Sequence, residues 1–123
     1  MQRSLILFSV VLTTNVVAQD EIVDDVFAHG ERVYSETCIA CHGDNGKGAI
    51  PGIQDLTAAD GLLTKPDDEL IESITEGFSM PRSPVAMPPM GGNPGLNRGD
   101  IVAVIAFLRV RFQIPPKAGE LSN

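Results

Sequence analysis

Cys38-Ile39-Ala40-Cys41-His42 is the stretch on which the reading of this chain turns. Its thiols are the only two cysteines in 123 residues and stand three positions apart, so they build no disulfide framework. On a turn of helix, positions i and i+3 share a face, and both thiols point the same way. The His42 imidazole comes next. A thioredoxin-like redox pair would precede a helix in a strand-rich βαβ chain, whereas this motif ends a helical segment and nothing nearby alternates with period two. A zinc site needs more ligands than Cys38, Cys41 and His42, and the one other histidine, His29, lies thirteen residues before His42 on a predicted helix.

The chemistry that remains is covalent haem attachment, which Cys-x-x-Cys-His spells out. Two thiols on one face reach the two vinyl groups along one haem edge, and the next residue turns under the ring to bind iron. One haem c is therefore the expected cofactor, with Cys38 and Cys41 as thioether sites and His42 as proximal ligand. The second axial ligand has four candidates: Met80, Met87, Met90 and His29. Met87 and Met80 both precede prolines, which restrict them to extended conformations. A stiff loop holds a thioether against iron at little ordering cost. Met90 precedes Gly91-Gly92 and is expected to be held less firmly, while His29 reads as a solvated helix residue.

Upstream of the motif, the periodicity predicts a helix from about Asp24 to Cys38, with Val26, Gly30, Val33, Tyr34 and Thr37 on one face. Gly30 inside it costs up to about 1 kcal/mol relative to alanine, which points to close approach of another backbone. Downstream, a glycine-rich loop runs from Gly43 to about Leu63. A second helix is predicted from about Lys65 to Gly77, with Thr64 and Asp67 as a capping box, Pro66 in its first turn and Leu70, Ile71 and Ile74 as its apolar stripe. Prolines at 81, 84, 88, 89 and 94 exclude a helix or central strand over residues 78–95. The last helix is predicted over Arg98 to Phe112, capped by Asn97 and Asp100, with Ile101, Val104, Ile105, Leu108 and Phe112 on its apolar face. The fold class is all-α, three or four short helices joined by long loops around the haem.

The ends read differently from the middle. Residues 1–18 resemble an export signal: Leu5 to Leu12 is largely apolar but too short to span a bilayer, and Val16-Val17-Ala18 offers small residues for a peptidase. Residues 19–123 form the single domain, with 115–123 expected to be a flexible tail after Pro115-Pro116. Removing the signal takes Arg3 and no carboxylate from totals of nine basic and sixteen acidic residues, leaving a charge of about −8. Nucleic acid, which needs a basic face, is excluded as a partner. A redox protein with a basic docking surface fits instead. A periplasmic monomer with no membrane span after signal removal is expected. With no tryptophan and one tyrosine, a large apolar cofactor explains how so loop-rich a chain finds a core.

Tyr34-x-x-x-Cys38-x-x-Cys41-His42-Gly43-x-x-Gly46-x-Gly48, together with Met87-Pro88-Pro89-x-Gly91-Gly92, Leu96 and a terminal helix, resembles the class I c-type cytochromes, small soluble bacterial mono-haem proteins. The resemblance covers essentially the whole chain after the signal. It implies Met87 as distal ligand, with Met80 and Met90 as alternatives, and contact of Gly30 and Tyr34 with the last helix near Phe107. It implies a one-electron carrier rather than an enzyme, cycling Fe(III)/Fe(II) between a dehydrogenase or other donor and a downstream oxidase or cytochrome. Alternatives are a haem enzyme with a displaceable distal ligand, doing peroxide or nitrogen-oxide chemistry, and a haem-free disulfide-exchange protein. The chain departs from the family in one place. Relatives have a proline about twelve residues after the histidine, its carbonyl accepting the imidazole N–H; here Gln54 occupies that position.

Overall fold

A computed structural model describes residues 17–113, in the order α1 (Val17–Val33), a π-helical turn (Tyr34–Cys38), α2 (Ile39–His42), α3 (Asp67–Glu76) and α4 (Arg98–Phe112). Short 3-10 turns lie at Leu62–Thr64 and Pro89–Gly92. Among the described residues no strand forms, only one antiparallel bridge between Phe78 and Met87. The all-α expectation holds. Residues 115–123, expected as a tail, and nearly all of the export signal lie outside the described residues.

α4 is the spine of the molecule because its sequence is apolar on more than one face. Ile101, Ala103, Val104, Ile105, Phe107, Leu108 and Phe112 are all buried. Its start is fixed as the sequence predicts: the Asn97 side chain accepts from the Asp100 backbone N–H, and the Asp100 carboxylate accepts from the Asn97 N–H at 2.8 Å. Each such cap stabilises a helix by about 1 kcal/mol.

α1 crosses α4 at Gly30. A Cβ there would lie 2.7 Å from the Ala103 carbonyl carbon and 2.8 Å from Phe107 Cβ, so only glycine lets the backbones meet. Phe27 and Tyr34 flank the crossing, their rings 5.2 and 5.4 Å from that of Phe107. A second tie, missed from sequence, joins the same helices. His29 is solvated as expected, its side chain 40% exposed, but it is also paired: its Nε2 lies 2.7 Å from Asp100 Oδ1, while Arg32 donates to its Nδ1 at 3.1 Å.

Two expectations need correction. The first helix begins at Val17 rather than Asp24, and its last turn widens to a π-helix instead of running on as α-helix to Cys38. The Thr64–Asp67 capping box does not form. Pro66 is the N-cap of α3, without a side-chain cap; Thr64 instead donates its hydroxyl to the Gly61 carbonyl at 2.7 Å. Asp67 is taken by Arg109 of α4, whose guanidinium donates at 2.8 Å to Asp67 Oδ1 and at 2.8 Å to the Lys65 carbonyl. A third donor of the same group meets the Leu63 carbonyl. One planar fork thus clamps the entry of α3 to α4.

Candidate haem site

The π-turn places the motif. Widening to i→i+5 bonding leaves one extra residue in the turn and rotates the residues after it, a distortion often found at functional sites. Tyr34, at its start, is buried against Phe107 and Phe112 and donates its hydroxyl to the Gly43 carbonyl at 2.6 Å. Burial pushes its pKa up to about 12, so the hydroxyl keeps its proton for that bond. The bond spans the motif from upstream to downstream. Beyond Gly43 the chain folds straight back: Gly48 N–H donates to the His42 carbonyl at 2.9 Å and Ala49 N–H to the Cys41 carbonyl at 2.8 Å.

Cys38, Cys41 and His42 line one open cleft, walled also by Thr37, Gln54 and Phe78 and by the loop from Met80 to Pro88. Cys38 and His42 also wall an adjoining apolar chamber under Leu56, Leu63, Leu70, Val104 and Leu108. The three methionines separate here. Met80 lines only the cleft and is 37% exposed; Met90 lines only the chamber; Met87 lines both. Met87 is also bonded through both its backbone groups to one distant residue, exchanging hydrogen bonds of 2.8 and 3.0 Å with Phe78, whereas the Met80 and Met90 carbonyls each accept one bond from three residues on. His29 lines neither space.

The electrostatics suit a covalently held, neutral cofactor ligand set. The Cys38 pKa is pushed up to about 11, first by burial and then by the nearby Cys41, which keeps this thiol protonated. Burial lowers the His42 pKa and favours the neutral imidazole that binds metals. Its Nδ1 is buried with no hydrogen-bond partner among the described residues, which marks the ring as built for something more than packing. Among the described residues no three His, Cys, Asp or Glu side chains converge to hold a metal ion, so Cys38, Cys41 and His42 are not arranged like zinc ligands. They fit a group wide enough to meet the thiols at its edge and the imidazole at its centre.

An all-α fold wrapped around such a Cys-x-x-Cys-His cleft defines a c-type cytochrome. The family model described as "Cytochrome C oxidase, cbb3-type, subunit III" matches residues 25–108, and the chain belongs to that family. It is similar to the cbb3-type cytochrome c oxidase subunit FixP of Bradyrhizobium diazoefficiens (strain USDA 110), 43% identical over 51 residues. The FixP of Bradyrhizobium sp. (strain ORS 278) matches at the same identity over the same length. That alignment takes in 41% of this chain and only 18% of either relative. The cofactor is thus haem c, and the chemistry is electron transfer.

Proposed function

We propose that this protein is a one-electron carrier on the periplasmic side of a membrane, holding one haem through thioethers at Cys38 and Cys41, with His42 and Met87 as axial ligands. The haem, when bound, supplies the Fe(III)/Fe(II) couple; the chain sets its ligands, its access and its docking surface. The observation that carries the reading is the position of Met87, alone among the three methionines in facing both spaces that Cys38 and His42 wall. Methionine opposite histidine raises the potential and closes the iron to small molecules. That favours electron transfer over peroxide or nitrogen-oxide chemistry.

The partner is a redox protein with a basic face. Asp67, Asp68, Glu69, Glu72 and Glu76 of α3 are all exposed, as are Asp20, Glu21, Asp24 and Asp25 of α1. These carboxylates steer a basic partner over roughly a Debye length, about 8 Å at physiological ionic strength. The FixP likeness favours an oxidase of the cbb3 type as the acceptor, with this chain either docking to it or acting as a haem domain within it. No described helix is long and apolar enough to cross a membrane.

Stopped-flow mixing of the reduced protein with carbon monoxide tests the closed site. The expected result is no rapid binding; rapid binding would move the protein to the haem enzymes. Turnover with a basic redox partner should also slow as salt rises, and indifference to salt would remove the electrostatic docking.

A further inference from the structure

Two complementary polar atoms in the cleft lack partners among the described residues. His42 Nδ1 and Gln54 Oε1 are both buried, neither is hydrogen-bonded to the other or to any described group, and both residues line the same cleft. A neutral imidazole carries one N–H, so when Nε2 faces iron the proton sits on Nδ1 and needs an acceptor; an amide oxygen is an acceptor that needs a donor. Leaving either unpaired in the interior costs about 1–3 kcal/mol.

The loop is constructed to present Gln54. Ile53 N–H donates to the Ile50 carbonyl at 3.2 Å on one side. On the other, buried Leu56 donates its N–H to the Gly46 carbonyl at 2.7 Å. Between them Asp55 closes a tight turn by accepting from the Thr57 N–H at 2.7 Å. The same loop is bonded to the carbonyls of His42 and Cys41 through Gly48 and Ala49. The loop that carries Gln54 is therefore tied to the backbone of the motif by bonds that do not involve the Gln54 side chain.

We propose that Gln54 is the positioning residue of the proximal ligand: its side-chain amide oxygen, unpaired in this structure, turns to accept the His42 Nδ1–H when the cleft is filled. This rests on the reading of His42 as an iron ligand. An acceptor on Nδ1–H fixes the tautomer and ring orientation and makes the imidazole a stronger donor. A stronger donor favours Fe(III), so the bond lowers the reduction potential.

The test uses the haem-loaded protein. Gln54→Leu removes the amide but keeps the volume and the backbone carbonyl; Gln54→Met does the same should Gln54→Leu fail to accumulate. Gln54→Glu keeps an acceptor. Deuterium exchange of the His42 Nδ1–H, read by NMR, should accelerate at least tenfold in Gln54→Leu and stay slow in Gln54→Glu. The Fe(III)/Fe(II) equilibrium should move toward Fe(II) in Gln54→Leu by up to about tenfold, or about 59 mV for one electron. It should move the opposite way in Gln54→Glu. Unchanged exchange in Gln54→Leu, with or without a shift in potential, overturns the proposal and assigns the acceptor to a backbone carbonyl or a water. Failure of the underlying reading looks different: the wild-type oxidised protein would lack hyperfine-shifted His42 ring protons altogether.

Discussion

The two sides of the haem site are made in different ways. The proximal side rests on continuous helix and dense local bonding: α1 leads through the π-turn into α2, Tyr34 ties the far end at Gly43, and the next loop bonds back to Cys41 and His42. On the side proposed as distal, the described backbone bonds of Met87 itself run to Phe78 alone, closing an irregular loop between them. A ligand set in helix and short loops moves only if the core moves. A ligand set by one bridge is free to loosen by itself. The difference predicts a protein that keeps its haem under stress and loses its methionine first.

Substitutions on the two sides should therefore separate haem retention from ligand identity. The largest effect is expected at His42. His42→Ala removes the proposed proximal ligand and should abolish the normal haem spectrum and destabilise the fold; a native-like spectrum would put the proximal ligand elsewhere. Next is Gly77→Ala. Gly77 ends α3 at φ 82°, ψ 167°, a conformation confined almost entirely to glycine, and a Cβ there would lie 2.7 Å from the Met87 carbonyl oxygen. The expected result is loss or weakening of the near-infrared iron–sulfur band with the haem still attached. A full band in a protein merely less stable would mean that the bridge does not position Met87.

Gly30→Ala is the matching probe in the core beneath the proximal side. Alanine gains about 1 kcal/mol of helix propensity but collides with Ala103 and Phe107, so a net loss of about 1–3 kcal/mol is expected, read as a lower Tm. The iron–sulfur band should persist in the folded fraction.

The smallest effect concerns acid. The Asn97 backbone N–H, and then His29, hold the Asp100 carboxyl below its ordinary value of 3.8. A group with a depressed folded pKa stabilises above its unfolded value and loses that contribution as pH falls through the folded one. Asp100→Asn should therefore flatten the decline of the denaturation midpoint below pH 3.8 or so. An unchanged acid slope would remove Asp100 from the account.

The same contrast explains what the sequence discloses. The α4 cap, the reason for Gly30 and the haem motif are legible because each depends on residues close in sequence or on one costly glycine with one explanation. The Thr64–Asp67 capping box misleads because Arg109, 42 positions from Asp67, competes for that carboxylate. The His29–Asp100 pair is hidden for the same reason: the two lie 71 residues apart, out of reach of local pattern. The π-turn has no compositional sign of its own, since it arises from seating Tyr34 against α4 while turning both thiols into the cleft. Met80 and Met87 look alike in sequence, since both precede prolines; the Phe78 bridge and the two spaces that Met87 lines tell them apart.

The oxidised spectra of three single variants, Met80→Ala, Met87→Ala and Met90→Ala, bear most directly on that assignment. The weak iron–sulfur band should disappear in Met87→Ala alone, with the potential falling by on the order of 0.1–0.3 V, a fraction of the range that axial ligands command. A band that survives in Met87→Ala and vanishes in either of the others would contradict the assignment of the distal ligand.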